Sequence, residues 1–148
     1  MISSSTASLN RSVGVLLHPT ALPSNYVCGG FGSSARTWLS WLSKSGIGVW
    51  QVLPLSPPDG TGSPYSSPSS FAINPWFLDP NDLVEDGFLS FSVIEEIQEK
   101  KNNDLSNLDF KAADRFTKNL GQYLRRDWTE QSAQRKTSFE NWCSNQHW

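Results

Sequence analysis

The sequence predicts an α/β fold, and three observations carry that reading. Ser12-Val13-Gly14-Val15-Leu16-Leu17 and Val49-Trp50-Gln51-Val52-Leu53 are short runs, nearly all apolar. Between them lies one stretch with a single apolar stripe at helical spacing. The second run opens into a long loop rich in Pro, Gly and Ser. A strand, a helix and a strand within about 40 residues make a βαβ unit, with parallel strands and a right-handed crossover. Runs that are apolar on both faces suit parallel strands, which are ordinarily buried on both sides.

The elements follow in order. Residues 1–10 are Ser-rich and predict a disordered arm. The first strand ends at His18-Pro19, because Pro19 drives His18 out of the helical region and cannot extend the ladder. Residues 19–32 are loop. Ser33 or Ser34 offers an N-cap, and Ala35, Trp38, Leu39 and Leu42 form one apolar face. Lys44 in the last turn and Gly46 just beyond close this helix.

The loop over 54–78 exceeds the usual length for a compact domain. It bears aromatics and prolines and is no low-complexity tract, so it predicts a functional loop. Asp79, Pro80 and Gly87 mark a short helix as N-cap, first helical residue and C′. Ser92 with Glu95 predicts a capping box and a helix to about Lys100, followed by a polar linker over 102–107. From Asp109, Phe110, Ala113, Phe116, Leu120, Leu124 and Trp128 step by three and four. The pattern continues less cleanly through Phe139 and Trp142, with a break expected between Thr129 and Gln134. Trp148 ends the chain without a C-cap signal, which predicts a truncation inside an element. The organisation expected is therefore an arm over 1–10, a βαβ unit with its loop over 11–90, and a helical insertion over 91–148.

Composition narrows the function. The 148 residues carry a net charge of −2 and show no basic stripe, which gives nucleic-acid binding no support. No apolar run approaches the roughly 18 residues of a membrane span. The two cysteines, Cys28 and Cys143, lie far apart and in no metal-like spacing, so a reducing cytosol fits. The first residues lack the basic region and apolar core of a secretory signal, whereas an organelle transit peptide stays open.

Candidates for chemistry cluster around the long loop. His18 sits at the carboxyl end of the first strand, where α/β enzymes place their sites. It suits contact with a ligand hydroxyl or satisfaction of backbone groups. Tyr65, among prolines and serines, offers a flat apolar face and a polar tip, and Ser63 offers a hydrogen bond beside it. The acidic residues Asp59, Asp79, Asp82, Glu85 and Asp86 read as turn, cap and helix-surface groups. No convincing catalytic carboxylate pair appears among them. His147 has no assigned role.

Several blocks, taken together, resemble the amylomaltase or disproportionating-enzyme family, the 4-alpha-glucanotransferases. They are His18-Pro19-Thr20-Ala21-Leu22-Pro23, Trp50-Gln51-Val52-Leu53-Pro54-Leu55, Gly62-Ser63-Pro64-Tyr65, Asn74-Pro75 and Asp82-Leu83-Val84-Glu85-Asp86-Gly87. They keep the family's order and spacing from about residue 11 to 90; residues 91–148 fit more weakly. The resemblance implies the N-terminal part of a (β/α)8 TIM barrel, incomplete in this chain, with a helical insertion. It implies cleavage of an α-1,4-glucan and transfer to another glucan or glucose with retention of configuration, in the cytoplasm and with no cofactor or metal. Tyr65 and Ser63 match residues that help hold the donor sugar. The family's nucleophile and acid/base lie beyond position 148, so no catalytic residue is placed in this chain and a missing C-terminal half is an implied partner. Gly30 stands where relatives commonly have Asp, a departure expected to alter loop order. Two other readings stay open: a non-catalytic truncated or split gene product, and a free-standing glucan-binding module.

Overall fold

The computed structural model describes residues 11–98 and 108–146. The arm over 1–10, the helix end at Lys100, the linker over 102–107 and His147 and Trp148 lie outside these residues. Strand β1 (Gly14–Leu16) and strand β2 (Val49–Gln51) pair in parallel, with Val15 opposite Trp50. Helix α1 (Ser33–Lys44) makes the crossover. This is the βαβ unit that the apolar runs and the α1 stripe predict, the kind of unit from which a (β/α)8 barrel is built. Both strands are shorter than predicted, and neither is buried. Leu16 is 54% exposed and Val13 66%. A parallel strand loses water on both faces only when further strands and helices cover it. Among the described residues the sheet has two strands.

Helix α1 starts one residue after Gly32, and the first of its free N–H groups, on Ser33, donates to Asp79 Oδ2 at 3.1 Å. The predicted serine caps are therefore replaced by a carboxylate 46 residues away. Gly46, at φ 71°, closes the helix as expected. Ala35 and Leu42 of the predicted face are buried, but Leu39 is half exposed, and Trp38 stacks on exposed Trp41 at 5.0 Å.

The rest of the chain is helical. It comprises α2 (Pro80–Glu85), α3 (Phe91–Ile97), α4 (Phe110–Asp127) and α5 (Ala133–Ser144). Asp79 caps α2 through Asn81 N at 2.9 Å. Ser90, not Ser92, is the cap residue of α3, and the two hydroxyls bond each other at 2.9 Å, so the predicted capping box does not form. Asp109 caps α4 through Ala112 N at 2.9 Å. The break between α4 and α5 falls where the pattern loosens, as a 3-10 turn over Trp128–Glu130 with Ser132 capping α5.

The main apolar core lies here. Leu89, Val93, Ile94 and Ile97 interlock with Phe116 and Leu120 of α4. Tyr26 and Val27, from the loop after β1, pack against the same cluster, which ties the βαβ unit to the helices. Helix α5 buries nothing, and Phe139 and Trp142 are each half exposed.

Candidate functional site

A cleft of about 230 Å³ opens at the carboxyl ends of β1 and β2. His18 and Leu53, just past the two strands, form its floor, and Pro64 of the long loop lines it together with Asn74, Trp76 and Phe110. The backbone of His18 is extended, as Pro19 demands, with φ −74° and ψ 142°. Its ring meets Phe77 edge-on at 5.6 Å. Its Nδ1 is buried and finds no hydrogen-bond partner among the described residues. Burial pushes the imidazole below its usual pKa, so the ring is neutral at pH 7. A neutral imidazole that lines a cleft is suited to a ligand hydroxyl, which both gives and accepts a proton.

The loop after β2 is held by its own short polar side chains. Asp59 accepts from Thr61 N at 2.9 Å and from Ser66 Oγ at 2.6 Å, and its own N–H donates to Ser66 O at 2.7 Å. The Ser66 hydroxyl, then Thr61, holds the Asp59 carboxyl below the usual carboxylate range. Ser67 Oγ donates to Pro57 O at 2.7 Å, and Ser69 Oγ receives the N–H groups of Phe71 and Ala72. Such side-chain bonds give backbone groups partners in a loop that has no ladder. Gly62 has φ 74°, and a Cβ there would stand 2.6 Å from the Phe110 ring, so a glycine is required twice over. Ser63 Oγ accepts from Tyr65 N at 3.3 Å. Tyr65 is 75% exposed, and neither it nor Ser63 belongs to the cleft lining, although their neighbours Gly62 and Pro64 do. Of the three predicted site residues, then, His18 is inside the cleft, and Ser63 and Tyr65 stand on its rim.

The aromatic part of the lining was not legible in the sequence. Trp76 stacks on Phe110 at 5.6 Å and 23°, and its Nε1 donates to Asp114 Oδ1 at 2.9 Å. Asn74, 2% exposed, accepts from Trp76 N at 3.0 Å. Phe110 and Asp114 are four apart and so share one face of α4. The spacing showed that face, but not that Trp76 packs on it.

The acidic residues have local partners. Asp79 caps two helices, one with each oxygen. Asp82 forms a bidentate pair with Arg36 at 2.7 and 2.9 Å, and the guanidinium holds its pKa down. Glu85 and Asp86 are exposed at the end of α2, where the Asp86 carbonyl accepts from Arg135. Cys28 donates its S–H to Trp76 O at 3.7 Å, and burial pushes its pKa up to about 11, so it is a thiol and no nucleophile. Gly30 fits its place tightly: a Cβ would meet the Phe77 carbonyl oxygen at 2.7 Å. A side chain there requires the Phe77 backbone to move. Among the described residues no three His, Cys, Asp or Glu side chains gather as metal ligands. No described helix is long and apolar enough to cross a membrane.

Comparison with known proteins is consistent with this architecture. The chain is 42% identical over 86 residues to a 4-alpha-glucanotransferase of Synechocystis sp., covering 58% of this chain and 17% of that protein. It is 47% identical over 81 residues to the 4-alpha-glucanotransferase of Thermus thermophilus, covering 55% and 16%. The chain thus spans about a sixth of the length of these relatives. The structure overlays amylomaltase from Streptococcus agalactiae, solved in complex with acarbose, with a TM-score of 0.76 at 28% identity, covering 87% of this chain and 26% of that one. Residues 17–148 match the 4-alpha-glucanotransferase family model, so the match includes the helical residues beyond 90 that fit the resemblance only weakly. On that match, over most of its length, the chain belongs to the 4-alpha-glucanotransferase family, glycoside hydrolase family 77.

Proposed function

We propose that these residues supply one wall of the glucan-binding site of a cytoplasmic 4-alpha-glucanotransferase. The enzyme cleaves an α-1,4-glucan, holds the glucosyl group covalently, and passes it with retention to another glucan or to glucose. His18 meets a sugar hydroxyl from the cleft floor, while Tyr65 and Ser63 hold the donor sugar from the rim. The supporting observation is the neutral His18 imidazole lining a cleft at the carboxyl ends of two parallel strands, in a chain of this family. Retaining transfer needs a nucleophile and an acid/base about 5 Å apart. Asp59, Asp79 and Asp82 are committed to loop, caps and ion pair. The family resemblance implies that the reacting carboxylates lie beyond position 148, and these local commitments support that reading.

The test is incubation with maltotriose, reading glucose and longer maltodextrins. The isolated chain is expected to release neither, and a full-length enzyme carrying this segment is expected to make both. Disproportionation by the isolated chain would show that carboxylates within it suffice. Inactivity of the full-length enzyme on every α-1,4-glucan would end the glucan reading.

A further inference from the structure

We propose that Asp114 is a positioning residue, which sets the width of the cleft by fixing the indole of Trp76; the inference rests on the glucan reading above. Trp76 lines two cavities. One is the cleft, and the other is a smaller cavity of about 30 Å³ bounded by Tyr26, Cys28, Ala113 and Phe116. Trp76 is 7% exposed and borders both cavities, so the groups that hold its edges help to locate it. Its place is set by what holds its edges: Asn74 on the backbone N–H, Asp114 on the indole N–H, and Phe110 stacked against it. Asp114 and Phe110 both belong to α4, so the helical segment, not the βαβ unit, determines where this wall stands. Gly62 abuts the same Phe110 ring, so the long loop closes the cleft against a surface that α4 presents.

The stack gives the cleft an aromatic surface in the same lining as the polar His18. A pyranose ring has apolar C–H faces and a hydroxyl edge, and so suits the two together. Without Asp114 the indole N–H loses its anchor on α4, and the cleft loses the spacing that grips one glucosyl ring. The carboxylate touches no sugar in this arrangement; it acts through Trp76.

The experiment uses the 148-residue chain, labelled with 15N at its indole nitrogens and titrated with maltotriose by NMR. In the parent, the Trp76 indole resonance should move with maltotriose and those of Trp38 and Trp41 should not. Asp114→Ala should raise the maltotriose Kd about tenfold, the equivalent of one charge-assisted hydrogen bond. Asp114→Asn keeps an acceptor oxygen and should stay within about twofold of the parent. Asp114→Ala leaves the indole N–H without its partner, so its melting midpoint should fall, and affinities are compared at a temperature where each variant stays folded; Asp114→Asn should keep the parent's midpoint. Equal affinity of Asp114→Ala and parent overturns the positioning role. So does an affinity loss in both variants that tracks a lowered midpoint. A parent that binds no maltotriose overturns this inference alone, whereas the glucan reading falls only if the full-length enzyme carrying this segment is inactive on α-1,4-glucans.

Discussion

The βαβ unit and the helical segment differ in how each is made stable. In the βαβ unit, apolar side chains stand in water: Val13, Leu16, Leu39 and Trp41 are all half exposed or more. In the helical segment, Ile94 and Leu120 are each 1% exposed and interlock within one cluster. The unit that carries the cleft is the one that lacks burial. A two-stranded parallel sheet presents open edges and uncovered faces, whereas amphipathic helices close a core locally by pairing their stripes. The cleft is thus assembled from a sheet that needs further covering and a wall, Trp76 on Phe110, that the helices hold rigid.

The sharpest way to break this contrast is truncation in each region. Leu120→Ala should cost about 2–5 kcal/mol, the range for a fully buried leucine. Leu16→Ala, at a position 54% exposed, should change stability by less than about 0.5 kcal/mol. Urea melts followed by far-UV circular dichroism compare the two. A larger loss at Leu16 would mean that the sheet is buried in solution by contacts the chain makes elsewhere.

Activity should separate from stability at the two tyrosines. In a full-length enzyme carrying this segment, Tyr65→Ala should lower kcat/KM on maltotriose about tenfold to hundredfold, from the loss of roughly 1–3 kcal/mol of contact to the reacting sugar. Its exposed ring should leave the melting midpoint unmoved. Tyr26 is no neutral control: its ring stacks on Phe116 at 5.8 Å and its hydroxyl donates to Asn81 Oδ1 at 2.7 Å. Tyr26→Ala should lower the midpoint and spare kcat/KM in the fraction that remains folded. Should Tyr65→Ala keep activity within about twofold, the rim residues have a loop-shaping role only.

The seam between the regions comes next in size. Asp79 caps α1 and α2 together, so Asp79→Ala should cost about 1–2 kcal/mol, more than removal of a single cap. Asp79→Asn, with one oxygen in place of two, should fall between. If hydrogen exchange shows only α2 loosened in Asp79→Ala, the long-range cap on α1 contributes nothing.

The smallest effect expected is on pH dependence, and it also divides by region. Burial lowers the His18 pKa below its unfolded value of 6.5, so the unfolded chain takes up that proton first. Its share of stability is complete above pH 6.5 and lost as pH falls through the interval below. Asp59 and Asp82 have pKa values below 3.8, so their contributions persist until pH falls past that value. Melts from pH 7.5 to 3 should show a shallow early decline that His18→Asn abolishes, then a later one that it leaves unchanged. An early decline that survives the substitution would place its origin outside the cleft floor.

The features legible in the sequence are those that local chemistry dictates. Pro19 stops β1, Asp79-Pro80 starts α2, Gly46 and Gly87 adopt positive φ at helix ends, and the stepping from Phe110 to Leu124 makes α4. The amide of each such residue, or its φ, is constrained by neighbours within a few positions. The βαβ order and the place of His18 at a strand's carboxyl end follow from the same local rules plus chain handedness. Tertiary structure alone decided the rest. Asp79 reaches Ser33 across 46 residues, and Asp114 reaches Trp76 across 38. Nothing in the periodicity of either segment names its partner, because a stripe records that a face is apolar, not what will cover it. For the same reason apolar β1 and β2 read as buried yet stand exposed: alternation and composition describe a strand's need for cover, and only the folded arrangement supplies or withholds it.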